Sequence, residues 1–179
     1  NKSACIIILA VLLACTGWML FAQDTNGSEK EIEEVYLQNP ELLVIESQVY
    51  SDDRNTQLES LESIELFLNS LRDEKRNEND PPPPVDPERI PSQITEYLSY
   101  LGSQGSLVVR KRGNTIANDF PEIRRKACEL LGWVRTDESR KTLIEFLKYD
   151  MEPMVKAEAA WALGEYAKYE GDPDGDVLP

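Results

Sequence analysis

Residues 121–132 read Pro-Glu-Ile-Arg-Arg-Lys-Ala-Cys-Glu-Leu-Leu-Gly, and residues 153–164 read Pro-Met-Val-Lys-Ala-Glu-Ala-Ala-Trp-Ala-Leu-Gly. The two stretches are offset by 32 residues. Their agreement falls at Pro121/Pro153, Ile123/Val155, Arg124/Lys156, Ala127/Ala159, Leu131/Leu163 and Gly132/Gly164. Each agreement has a mechanical meaning. Proline suits the first turn of a helix, where its missing N–H has no intrahelical partner to lose. Ile123, Ala127, Leu130 and Leu131 fall on one helical face, and the alanines allow close approach of a neighbouring helix. Glycine takes a left-handed conformation at little cost, so Gly132 and Gly164 are expected to stop or turn each helix. A repeat of this length is the mark of an array of small helical units.

Between the two copies, Glu138 to Tyr149 is expected to form the second helix of the unit, with Leu143, Ile144, Phe146 and Leu147 on its apolar side. Thr136-Asp137 is a suitable N-terminal cap, and Asp150-Met-Glu-Pro153 a short turn into the next unit. Arg140, Lys141, Glu145 and Lys148 fall on the polar side of this second helix.

The pattern Pro-x-[Ile/Val]-[Arg/Lys]-x-x-Ala-x-x-x-Leu-Gly, twice in register, resembles the short bacterial HEAT repeats, also called PBS-lyase-type HEAT repeats. The clear match spans residues 121–167. The resemblance implies an all-α fold, an α-solenoid of HEAT-type helix pairs, whose second helices usually line a concave binding surface. Similar repeats also occur in lyases that attach bilin pigments, an enzymatic role for which this chain carries no support beyond the repeat itself.

Outward from the repeat the pattern fades. Asn55 to Leu71 places Leu58, Leu61, Ile64, Phe67, Leu68 and Leu71 at helical spacing, and Ile90 to Leu101 does the same with Ile94, Tyr97, Leu98 and Leu101. Residues 54–101 are therefore expected to form a divergent helix pair. A Pro-rich loop (72–91) interrupts it, since four consecutive prolines, Pro81 to Pro84, favour an extended solvated segment over a helix. Residues 102–119 form a second insertion, a loop or small β-hairpin around Arg110-Lys111-Arg112-Gly113-Asn114. That basic triplet either contacts a partner or neutralises nearby acidic helices. Residues 23–53 are expected to be an acidic N-terminal helical cap, broken at Asn39-Pro40. The HEAT-type repeats occupy residues 120–168 and an acidic tail 169–179. No second helix follows residue 168, and the first residue is Asn1, so the natural protein is expected to extend beyond both ends.

The beginning of the chain carries a different signal. Lys2, an apolar run from Ala4 to Ala14, and Trp18 to Ala22 precede an abrupt change to polar residues at Gln23-Asp24. This reads as a signal peptide over residues 1–22, cleaved after Ala22, and places the mature chain in the periplasm or cell envelope, with secretion as the alternative. Two readings compete with it: a retained membrane anchor from Ala4 to Ala22, and a lipid on Cys15, because Leu12-Leu13-Ala14-Cys15 resembles a lipobox. Cleavage leaves Cys128 as the only cysteine, expected to be a buried apolar residue.

Composition narrows the chemistry. The formal net charge is −14, with 33 acidic and 19 basic side chains. Such a surface repels phosphate backbones and anionic headgroups, so neither nucleic acid nor membrane is an expected partner beyond the N-terminal segment. The chain has no histidine, which removes the commonest general base and the commonest zinc ligand. Asp172-Pro-Asp-Gly-Asp-Val177 has acids at alternate positions but lacks the glycine and the closing glutamate of a calcium loop, and is expected to be a turn. No catalytic, cofactor or metal site is expected. The expected role is non-catalytic protein binding or scaffolding, with another protein as partner. Arg140, Lys141, Glu145 and Lys148, together with Arg110, Lys111 and Arg112, are the candidate contact residues. The alternative is an acidic structural spacer that supports a downstream domain.

Overall fold

The computed structural model describes residue 36, residues 39–72 and residues 85–170, the last four of these by backbone alone. The expected signal peptide, residues 23–35, 37 and 38 of the expected cap, the four-proline run and residues 171–179 of the expected acidic tail 169–179 lie outside the described residues. The chain divides into two units at Leu43/Val44. In the first, Leu42 N–H donates to the carbonyl of Asn39 at 3.0 Å, which turns the chain at Asn39-Pro40 into a helix. That helix, α1, spans Glu41–Val49 and crosses the boundary.

The described secondary structure of the second unit consists of α-helices, one 3-10 turn and one small hairpin. Helix α2 (Arg54–Ser70) starts on Asp53, whose carboxylate accepts from the Thr56 N–H at 2.9 Å. This satisfies one of the donors that every helix start leaves open. Its buried face is Gln57, Ser60, Leu61, Ile64, Phe67 and Leu68, while Leu66 stands exposed. Val85 is buried, and from it the chain makes a 3-10 turn (Pro87–Arg89) and continues into α3 (Ser92–Ser103). Ile90 and Pro91 are extended and stand before the helix, because the residue preceding a proline is driven out of the helical region. Helix α3 buries Ile94, Tyr97, Leu98 and Leu101.

Residues 111–116 form the hairpin, β1 (Lys111–Arg112) and β2 (Thr115–Ile116), paired antiparallel with Lys111 opposite Ile116 and Arg112 opposite Thr115. Gly113 turns it at φ 64°, a conformation glycine reaches without strain.

Helix α4 (Pro121–Val134) begins on its proline and buries Ile123, Ala127, Leu130, Leu131 and Val134, each at most 1% exposed. Each large aliphatic chain buried this fully contributes about 1.5–3 kcal/mol. Helix α5 (Asp137–Tyr149) opens on a capping box: Thr136 Oγ1 accepts from Ser139 N–H at 3.2 Å, and Thr136 N–H donates to Ser139 Oγ at 2.9 Å. Asp137 and Glu138 in its first turn and Lys148 in its last suit the helix dipole. Helix α6 (Pro153–Glu170) completes the described chain. Tyr166 on α6 donates to the carbonyl of Thr136 at 3.0 Å and meets Ser139 Oγ, which fastens α6 to the cap of α5.

Packing within this unit follows the sequence order of pairs. Helix α4 lies against α2, α3, α5 and α6, and α5 lies against α3 and α6. First helices thus neighbour first helices (α2, α4, α6), and second helices neighbour second helices (α3, α5). The close approaches come from glycines. A Cβ on Gly102 of α3 would stand 2.4 Å from the Phe146 ring of α5, and one on Gly132 of α4 would stand 2.9 Å from Ala162 Cβ of α6.

Gly132 and Gly164 do not stop their helices. Helix α4 runs through Gly132 to Val134, and it is Arg135 that takes the left-handed conformation, at φ 54°. Helix α6 runs through Gly164 to Glu170. At Gly132 the missing side chain serves packing, since it leaves a notch for Ala162.

Candidate protein-binding surface

On α5 the helical period sorts the side chains as the sequence predicts. Ser139, Leu143 and Phe146 point inward, and Lys141, Glu145 and Lys148 are exposed on the opposite face at spacings of four and three. Arg140 is half-buried at the edge of this face. None of these four side chains has an ion-pair partner among the described residues. The charges of Lys141, Glu145 and Lys148 face solvent.

The basic triplet of the insertion divides in two. Arg110 is structural: its side chain pairs with Asp52 and donates to Gln104 Oε1 at 3.3 Å, and its backbone N–H donates to Asn118 Oδ1 at 2.8 Å. Lys111 and Arg112 are exposed on the hairpin and have no ion-pair partner among the described residues. No hydrogen bond or ion pair among the described residues joins Lys111 and Arg112 to the α5 set.

A buried polar cluster below the hairpin was not read from the sequence. Gln104 and Asn118 are 2% exposed, and Asn118 Nδ2 donates to Gln104 Oε1 and to the Val108 carbonyl, both at 2.8 Å. Next to them lies Arg124, also 2% exposed. Its Nε donates to Asp150 at 2.7 Å, and its Nη1 to Asp119 at 2.7 Å and to the Gln104 carbonyl at 3.1 Å. Asp150 is fully buried and also accepts from the Glu152 N–H at 2.8 Å. Burial alone would lower the Arg124 pKa. Hydrogen bonds and charge from Asp119 and Asp150 outweigh it and hold the guanidinium above its ordinary value. Asp119 and Asp150 occupy like places, two and three residues before the prolines that start α4 and α6. Arg124 therefore bridges the turn that opens its own helix and the turn that opens α6. The signal was present: an aspartate ahead of each repeat proline, and an arginine on an otherwise apolar face.

Other groups offer little chemistry. The Cys128 thiol is fully buried, and burial first, then the charges of Asp150 and Glu158, push its pKa far up, so it stays a neutral thiol. Lys126 is drawn down by burial but held above its ordinary value by Glu129 and Glu65, which it bridges at 2.9 and 3.0 Å. Trp133 carries the Arg72 guanidinium 4.3 Å above its ring. Among the described residues no group of three or more His, Cys, Asp or Glu side chains is arranged to hold a metal ion, and no helix is long and apolar enough to cross a membrane.

No curated protein and no solved structure matches the chain. Residues 111–177, from the hairpin through α6, match the family model described as HEAT repeats, and this part of the chain is similar to HEAT repeats in sequence and in its succession of packed helix pairs.

Proposed function

We propose that the chain is a non-catalytic protein-binding or scaffolding module, built as an α-solenoid of HEAT-type units and working in the bacterial cell envelope. The observation that carries this reading is the exposed face of α5. Lys141, Glu145 and Lys148 stand in a row on the second helix of a repeat, and HEAT repeats generally mediate contacts between proteins. The packing of first helices beside first helices and second beside second supports the solenoid, in which neighbouring units stabilise one another. The leader-like residues 1–22 support export. Its partner is another protein. The lack of histidine, the buried Cys128 and the engagement of Ser139 in a helix cap support a role without catalysis.

The test is capture of partners from an envelope extract by the tagged chain, beside a K141E/K148E variant. Both substitutions fall on exposed side chains, so the fold is retained. A saturable partner lost in the variant establishes the α5 face as the contact. A helical, folded chain that captures nothing reproducibly sinks the binding reading in favour of an acidic spacer.

A further inference from the structure

The hairpin combines three properties that a solvated connector does not need. Its base is rigid: Gln104 and Asn118 are buried and bonded to each other, and the Arg110 side chain and backbone are tied to Asp52, Gln104 and Asn118. Gly105 packs so closely there that a Cβ would stand 2.6 Å from the Asn118 carbonyl oxygen and from Asp119 Cα. Exposed apolar side chains lie beside and on the hairpin: Leu107, Val108 and Val109 precede β1 and Ile116 is on β2, all 42–48% exposed. Lys111 and Arg112 follow on β1, exposed, in a chain whose net charge is −14. A mere neutraliser would pair with a nearby carboxylate, as Arg110 pairs with Asp52. Lys111 and Arg112 do not pair with any described carboxylate.

We propose that the hairpin is a second docking surface, with Lys111 and Arg112 as its anchors, for a partner segment that alternates acidic and apolar side chains. This deepens the protein-binding reading, on which it rests. A rigid finger loses little entropy on binding, because its base is already ordered. Lys111 stands opposite Ile116 on one face of the hairpin and Arg112 points to the other face, so carboxylates and aliphatic groups in close succession complement both faces. A membrane surface fits less well. An anionic bilayer would face the whole acidic body, whereas a peptide meets only the finger, and salt screens the remaining repulsion beyond about 8 Å at physiological ionic strength.

The experiment uses the full chain and three short fluorescein-labelled peptides, read by anisotropy: one alternating Glu and Val, one alternating Glu and Ser, and one alternating Lys and Val. The Glu-Val peptide is expected to bind, more weakly as salt rises, and to be preferred over the other two. K111E/R112E is expected to weaken it about tenfold, as two exposed ion pairs become repulsive. V109S/I116S is expected to weaken it without changing the salt dependence. Circular dichroism checks that both variants keep their helix content. Equal binding of the Glu-Ser peptide, preference for the Lys-Val peptide, or indifference to K111E/R112E overturns the proposal. So does tighter binding to phosphatidylglycerol vesicles than to peptide, or self-association in sedimentation that K111E/R112E abolishes. K141E/K148E serves as the separating control. If the hairpin variants change nothing while K141E/K148E loses its captured partner, the docking finger fails and the α5 reading stands.

Discussion

Helices α4 and α6 carry the same motif and meet different surroundings. In α4 the motif glycine, Gly132, is buried against Ala162 of α6, whereas a Cβ on Gly164 of α6 would meet nothing within 4 Å. Arg125 on α4 bridges to Glu158 of α6 at 3.2 Å, and the position matching Arg125 is Ala157, exposed. Glu129 is half-buried and bridged to Lys126, while the matching Trp161 is 68% exposed. The buried sides of the two helices nevertheless correspond, Ile123 with Val155 and Ala127 with Ala159, all essentially inaccessible to solvent. The motif therefore determines how a helix sits on the unit before it. What lies on its other side depends on its place in the succession.

The largest test of this comparison is the charge bridge that joins one unit to the next. Asp150→Asn leaves Arg124 buried with one full carboxylate partner fewer. It is expected to cost about 3–5 kcal/mol in chemical denaturation, the usual penalty for breaking a buried pair. Asp119→Asn acts on a side chain 40% exposed and is expected to cost well under half as much, because solvent can replace the lost contact. Equal losses would break the view that the link to the following turn dominates.

Thr136→Ala removes the reciprocal cap of α5 and is expected to lower stability by about 1 kcal/mol in the same assay. The glycine pair gives the sharpest contrast, since the same substitution should have opposite signs. Gly132→Ala drives a methyl group into Ala162 and is expected to destabilise by about 1 kcal/mol net, overpacking outweighing the gain in helix propensity. Gly164→Ala fills open space in a helix and is expected to stabilise by about 0.5–1 kcal/mol. If both variants gain stability, the notch at Gly132 is not needed.

The smallest effect concerns pH. The backbone N–H of Thr56, then its hydroxyl, hold the Asp53 carboxyl below its ordinary value of 3.8. The folded state thus favours the carboxylate. That contribution is fully present above the ordinary value and is lost as pH falls through the lower folded one. Asp53→Asn should remove this part of the acid dependence, which parallel denaturation series between acidic and neutral pH would detect.

Much of this fold was legible because it rests on local rules. Proline at a helix start, an apolar face at helical spacing and Thr136 as a cap each act within a few residues, so α4 and α5 could be placed closely. Helices α2 and α3 were readable from periodicity alone, and the start of α3 shifts to Ser92 because Pro91 holds the preceding backbone extended. The exposed row Lys141, Glu145, Lys148 was readable for the same reason: exposure follows from the period once the buried side is known. Gly132 was misread because a glycine that ends a helix and one that admits a neighbour look alike in sequence. The Arg124–Asp150 bridge was missed because its partners lie 26 residues apart and a lone arginine ordinarily reads as solvated. Arg110 was grouped with its neighbours by charge, and only its contacts separate it from them.

The buried thiol of α4 has a practical consequence. Cys128 lies on the same helix as the Gly132 notch, sealed from water and kept neutral. An alkylating reagent can reach it only when the helices around it part. Its labelling rate, followed site by site with mass spectrometry, is thus a built-in clock for local opening. A mutation that loosens the seam between α4 and α6 should quicken that clock even where global unfolding barely changes.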